Sequence, residues 1–329
     1  MRPVVLVIPN WNGEGHLRRL FPTIAPQTLQ PARVLVVDNG STDGSADYAR
    51  SQGAEVLQLD RNLGFAAAVN RGIAATAEPL VGILNNDVTL DPRYWEELAN
   101  AMGSGVSFAT GKIYQPGGNN VLDGTWDLLT RSALAVRCGN GLPDGEIWDE
   151  PREIAMAPLT AALFDRRVFQ TVGGLDERFE SYLEDVDLGL RCALLGLKGQ
   201  YAPKAKAEHW GSGTLGVWHA RTVRLISRNQ VYVVAKYFPR GWMGRLGRPV
   251  VVGQVLWGLA ALKRGRSVSW LIGKVEGLWR YRSLRKSARV SRSGDVAGLL
   301  LKFERELIDL QMKTGTDRFW SWYFRWTKG

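Results

Sequence analysis

The chain has 329 residues, with 42 Lys and Arg, 32 Asp and Glu, and only two cysteines, Cys138 and Cys192. That length buries a sizeable core and predicts two domains, while two cysteines without CxxC spacing exclude a disulfide framework and a cysteine-rich zinc site and suit a reducing compartment. The net charge of +10 is unevenly divided: residues 1–214 hold 19 Lys and Arg against 26 Asp and Glu, whereas residues 215–329 hold 23 against 6. A basic C-terminal region predicts a surface for an anionic partner, either membrane headgroups or nucleic acid.

The opening Met1-Arg2-Pro3 runs straight into a strand and lacks the apolar core and cleavage site of a signal peptide. No stretch approaches the about 20 apolar residues of a spanning helix. Val4–Pro9, Arg33–Asp38, Glu55–Leu59 and Leu80–Leu84 predict four strands, separated by helical stretches near 14–25, 44–52 and 65–76. This βαβ alternation implies an α/β domain with a mostly parallel, Rossmann-like sheet, whose strand ends Asn10, Asp38, Asp60 and Asp87 gather at the ligand-binding edge. A dinucleotide fingerprint is incomplete: Gly13-x-Gly15 lacks its third glycine, and Glu14 stands where a pyrophosphate would approach.

The apolar run Val81–Leu84 stops abruptly on Asn85, Asn86 and Asp87, polar groups suited to gripping a charged ligand and also to a turn. Residues 106–165 predict loops and short strands over the sheet, then a strand at Leu159–Phe164 and a short helix at Arg166–Val172. Leu183, Val186, Leu190 and Leu194 fall on helical spacing, so Glu184, Asp185 and Asp187 open a helix, where carboxylates are favoured by its dipole. Asp187 and Arg191, four apart, read as a structural pair, and Asp185 as a candidate proton acceptor. A strand pair, Gly199–Ala202 and Lys204–His209, leads into a glycine-serine loop able to approach phosphate. His209 could there complement Asp87 at a divalent metal. His16 and His219 are expected at the surface.

Beyond Gly216 the composition predicts helices: Trp218–Phe238, the apolar Val250–Leu262 between basic flanks, 268–281, 296–310 and an aromatic terminus at Phe319–Trp326. Such segments suit a bilayer interface, and packing on the catalytic domain or a second subunit is the alternative. No zinc finger, homeodomain or RNP pattern supports nucleic acid.

Taken together, Ile8–Asn12, Val36–Ser45, Asn62–Asn70, Leu84–Asp87, Gly173–Arg191 and His209 resemble the family 2 inverting glycosyltransferases, particularly bacterial rhamnosyltransferase-like members, across about residues 3–215. The resemblance implies a GT-A fold over 1–215, and the composition beyond it predicts a helical, basic, membrane-associated region over 216–329. The resemblance also implies a nucleoside-diphosphate sugar donor such as dTDP-rhamnose, a lipid-linked or polysaccharide acceptor and a divalent metal, Mg²⁺ or Mn²⁺. By the same carry-over, Pro9, Trp11 and Asp38 contact nucleobase and ribose, Asn62 and Gly64 border the nucleotide, Asp87 takes the place of the last carboxylate of the family's DxD-type motif, Asp87 and His209 hold the metal, and Asp185 is the base; Asn86 and Asp87 are expected to bind substrate. Asn85 and Asn86 stand where many relatives carry acids, which leaves Asp87 as the only carboxylate of that motif. The expected location is the inner face of the plasma membrane; the alternative is a non-catalytic nucleotide-sugar or nucleic-acid binding protein.

Overall fold

The structure, a computed structural model, describes residues 2–211, 218–287 and 295–327. It divides into two compact units: residues 2–127 with 137–211, and residues 128–136 with 218–287 and 295–327.

The first unit begins with β1 (Val4–Asn10), α1 (Glu14–Ile24), β2 (Arg33–Asp38), α2 (Ser45–Ser51), β3 (Glu55–Gln58), α3 (Phe65–Ala74) and β4 (Leu80–Leu84). Both β1 and β4 are buried along their whole length, as continuous apolar runs inside a parallel sheet should be. In α1 the buried residues Leu17, Leu20, Phe21 and Ile24 recur at three- and four-residue intervals, so one face closes on the sheet. There follow β5 (Val88–Leu90), α4 (Tyr94–Ala101), β6 (Val106–Tyr114), β7 (Leu122–Gly124), β8 (Asp127–Leu129), β9 (Ala135–Arg137), β10 (Arg152–Ile154), β11 (Ala161–Asp165), α5 (Arg167–Val172), α6 (Glu184–Leu194) and β12 (Lys198–His209).

The sheet order is β10-β12-β6-β11-β4-β1-β2-β3, with β5 added to β12 and β7 to β6. Strands β4, β1, β2 and β3 are parallel, and Asn10 stands in register with Asp38 at their carboxyl ends. The mostly parallel sheet flanked by helices agrees with the expected α/β class.

Two details differ from the sequence expectation. Residues 106–165 do not merely lie over the sheet: β6 is an interior strand between β12 and β11. Its pattern is obscured by Lys112, fully buried yet paired with Asp144 at 2.7 Å and Asp149 at 2.5 Å. The expected strand pair at 199–209 is one strand, because Pro203 interrupts pairing with β6 between Ala202 and Lys206 without turning the chain.

The second unit holds α7 (Ala220–Tyr237), α8 (Trp242–Lys263), α9 (Ser267–Ser287), α10 (Val296–Thr314) and α11 (Arg318–Thr327), together with the hairpin tip 128–136. Glu304, 1% exposed, accepts hydrogen bonds from the Arg131 backbone at 2.8 Å, its Nε at 2.6 Å and the Tyr323 hydroxyl at 2.5 Å. Lys274 is half-buried among acceptors, bonding the Ser227 carbonyl at 2.9 Å, Gln230 at 2.8 Å and Gln254. No helix of the described residues is long and apolar enough to cross a membrane.

Candidate active site

At the carboxyl edge of the parallel strands Asn10, 2% exposed, organises the first part of the site. Its amide donates to Ser45 at 2.9 Å, and to Asp38 and Ser41 at 3.3 Å; its carbonyl accepts from Asn86 at 2.7 Å. Asp38 is fully buried, with one oxygen engaged by Asn10 and the other by the Ser41 backbone at 3.2 Å. Pro9 is buried, whereas Trp11 is 41% exposed beside it, an indole face free to stack on a planar ring. Asn39 fixes the next loop by bonding Asn62 and the Gly64 carbonyl, both at 3.1 Å, and accepting from Leu63 at 2.8 Å. Gly64 has φ +90°, and a side chain there would crowd the Glu180 carbonyl, which the Ala66 amide holds at 3.1 Å.

The second part is created by strand pairing. Because β5 pairs antiparallel with β12, placing His209 opposite Val88, the Asp87 carboxylate meets His209 Nε2 at 3.3 Å across 122 positions of sequence. On its other side the imidazole bonds Asp123 through Nδ1 at 2.9 Å. Burial alone would push His209 down, but the two carboxylates prevail and raise its pKa to about 9; the same bonds overcome burial and hold Asp87 and Asp123 below the ordinary carboxylate range. His16, expected at the surface, is half-buried and near enough to help hold Asp87 ionised.

The third part precedes α6. Glu180, Tyr182 and Leu183 all have positive φ, a conformation that costs non-glycine residues on the order of 1–3 kcal/mol each and that here turns the chain sharply into the helix. Asp185 accepts the Val186 backbone N–H at 2.8 Å and lies 3.5 Å from Arg137 Nη2. Burial and the neighbouring Asp127 raise its pKa to about 6, with Arg137 opposing. Glu184 is pushed well above its usual value by burial and by Asp185, and one of its oxygens has no partner. Asp187 is a different case, fully buried and paired with Arg191 at 3.1 Å; Arg191 also binds the carbonyls of Val172, Gly173 and Gly174. Asp187 is therefore structural.

The structure brings Asp87 and His209 into contact, and Asn86 with Asn10, and joins Asp185 to them only indirectly, through Arg137 and Asp123. Asp123, Asp127 and Arg137 were not singled out in the sequence. Their one signal is charge beside the apolar residues of Leu122–Arg137, a signal they share with Arg131. The anticipated phosphate loop after His209 runs into residues 212–217, outside the described residues.

As a place for a metal, the donors are chemically suitable. Asp87 offers a carboxylate oxygen, and His209 an imidazole whose other nitrogen is fixed by a carboxylate, the outer-partner pattern of metal-ligating histidines. Two residues before Asp87 in the chain, Asn85 carries a buried side-chain oxygen without a hydrogen-bond partner. Among the described residues no three His, Cys, Asp or Glu side chains form a complete cage, so a bound cation would need oxygens from elsewhere.

A GT-A-type sheet with a polar carboxyl edge, and a helix that opens on the acids Glu184, Asp185 and Asp187, make the architecture of a nucleotide-sugar-dependent transferase. The glycosyl transferase family 2 profile matches residues 5–172, and the chain belongs to that family, as a rhamnosyltransferase-like glycosyltransferase. It is 31% identical over 246 residues to the N-acetylglucosaminyl-diphospho-decaprenol L-rhamnosyltransferase of Mycobacterium tuberculosis, covering 65% of this chain and 77% of that protein. It is 30% identical over 208 residues to the succinoglycan biosynthesis protein ExoA of Rhizobium meliloti, covering 59% of each. Among solved structures, GalNAc-T7 with UDP, GalNAc and Mn²⁺ superposes with a TM-score of 0.60 at 15% identity, covering 88% of this chain and 58% of that one, a likeness of fold.

Proposed function

We propose that the protein transfers a sugar with inversion from a nucleoside-diphosphate donor, with dTDP-rhamnose the candidate, to a lipid-linked acceptor in cell-envelope glycan synthesis. The observation that carries this reading is the placement of Asp185, a largely buried carboxylate of raised pKa, in a network that ends at the Asp87–His209 pair. Trp11 and the Asn62–Gly64 loop suit the nucleoside, and Asn86 and Asp87 the diphosphate end. Asp87 and His209 would hold Mg²⁺ or Mn²⁺, which when bound stabilises the charge of a departing diphosphate. Asp185 takes the proton of the acceptor hydroxyl while its oxygen bonds the anomeric carbon; the bond to the diphosphate breaks and its electron pair leaves with the nucleotide. One base suffices, unlike the two carboxylates of glycoside hydrolases.

The reading extends to a division of labour, with residues 1–215 performing transfer and the basic helices beyond 215 holding the enzyme at the cytoplasmic membrane surface. Val251, Val255, Leu259 and Leu262 on α8 lie at three- and four-residue steps and are each more than half exposed; Val268, Leu271, Val275, Leu278 and Trp279 do the same on α9. Ten Lys and Arg against one acid, Glu276, lie within 242–287. An apolar face with basic neighbours is what an interfacial helix pair presents to an anionic bilayer.

The test is a thermal-shift panel of nucleotide sugars with and without Mn²⁺, followed by transfer to N-acetylglucosaminyl diphosphate on a short polyprenol. A Mn²⁺-dependent shift with one donor and product of inverted configuration is expected, since a ligand bound only by the native state raises its melting temperature. No shift with any donor, or retention of configuration, overturns the reading.

A further inference from the structure

Arg137 occupies an unusual position between three carboxylates. Its Nε and Nη2 face the two oxygens of Asp127 at 3.2 and 3.5 Å, Nη2 also faces Asp185 at 3.5 Å, and Nη1 reaches Thr160 at 3.4 Å and Asp123 at 3.9 Å. Asp123 in turn holds His209. The stem of Arg137 is threaded as tightly as its head: a Cβ on Gly124 would lie 2.3 Å from both its Cγ and its Cδ. Glycine at 124 is therefore a condition for this arginine's position. A planar guanidinium with a fixed fork of donors can address several carboxylates at once, which an ammonium on a flexible stem cannot do with the same geometry.

We propose that Arg137 is a positioning residue of the transfer reaction: clamped by Asp123 and Asp127 and threaded past Gly124, it aims the Asp185 carboxylate and keeps it available to accept a proton. The proposal rests on the reading of Asp185 as the base.

The groups facing Asp185 are Asp127 from β8, Arg137 from β9 and Glu184 on its own helix. Two of them are acids, which favour the protonated carboxyl; Arg137 is the cation that opposes them. Removing it leaves Asp185 buried among acids, so the carboxyl should keep its proton to higher pH and the acidic limb of the rate profile should move upward in pH. The metal pair Asp87–His209 is not touched by Arg137, so donor affinity should stay.

The experiment compares full-length wild type with Arg137→Ala, Arg137→Gln, Arg137→Lys and Gly124→Ala, using dTDP-rhamnose, Mn²⁺ and N-acetylglucosaminyl diphosphate polyprenol. The expected loss in kcat is about 10–100-fold, the usual effect of removing a supporting partner, with KM for donor within about threefold of wild type. Added guanidinium should restore transfer to Arg137→Ala, Arg137→Lys should lie between wild type and Arg137→Gln, and Gly124→Ala should reproduce the defect with the arginine present. A substrate-free reading comes from carboxyl NMR: the Asp185 resonance, identified by its absence in Asp185→Asn, should titrate near pH 6 and higher in Arg137→Gln. An unmoved titration and acid limb in Arg137→Gln overturn the proposal, as does a loss matched by lowered thermal stability without guanidinium rescue. Should Asp185→Asn itself transfer at the wild-type rate, the base assignment falls, whereas the NMR shift still reports whether Arg137 governs that carboxyl.

Discussion

The two units treat charge and apolar surface in opposite ways. In the catalytic unit acids and bases are drawn inward to the sheet edge, and among its described residues only Trp11, Leu195 and Trp210 stand out as large exposed apolar residues. Among the described residues of the helical unit fourteen such residues are exposed, from Met243 to Trp326, in a sequence rich in Lys and Arg. A monomer that merely needed to fold would hide that surface. Buried charge gathers at the proposed place of chemistry in one unit, and exposed hydrocarbon at the proposed docking face in the other.

The sharpest way to break this comparison is Asp185→Asn, expected to lower transfer by roughly 10²–10⁴-fold with donor binding kept. The same change should raise stability above pH 6. A carboxyl whose folded pKa is raised favours the folded state while protonated, and that contribution is lost as pH rises through about 6. Removing the charge should therefore recover on the order of 1–3 kcal/mol at pH 8, read by urea unfolding. A variant both inactive and less stable at pH 8 would separate Asp185 from the role of a strained base.

Next in size, Asp87→Ala should abolish the Mn²⁺-dependent part of donor binding, and Asp123→Asn should weaken it by about 10–100-fold through His209, both followed by calorimetry. Unchanged affinity in Asp87→Ala would remove the metal from this pair. On the other unit, Leu259→Glu with Val275→Glu should prevent flotation of the full chain with phosphatidylglycerol vesicles, while high salt should weaken wild-type binding without ending it. Flotation equal to wild type, or a dimer dissolved by the same changes, would assign that face to a partner protein.

The smallest effect concerns Lys274, whose pKa burial lowers to about 7. A depressed lysine stabilises the fold fully only above its unfolded pKa, and this contribution is lost as pH falls through about 7. Unfolding midpoints should rise between pH 7 and pH 10 in wild type and flatten in Lys274→Met.

Much of the catalytic unit was legible because its parallel strands are uninterrupted apolar runs ending on polar residues, as in Val81–Asp87. The family followed from the order of those ends. The pairing of Asp87 with His209 could be suspected from chemical complementarity and from the family resemblance but not from strand pattern, since β5 is three residues long and β12 carries a proline. Arg137, Asp123 and Asp127 were hidden for a physical reason: short strands carry too few residues for a period, and one glycine decides whether the arginine fits. Lys112 misled similarly, since a buried cation looks like a surface residue until its two acids are known.

The hairpin that ends in Arg137 passes from the catalytic unit at Asp127 into the helical unit for residues 128–136 and returns. For protein engineering this makes the chain a poor candidate for simple cutting. A fragment ending near residue 215 would retain Arg131 and Ser132 but forfeit Glu304, which bonds the first, and Gln254, which bonds the second. Swapping the helical unit between relatives would demand transplanting two separated pieces of sequence, so natural recombination at a single crossover should seldom exchange one unit without the other.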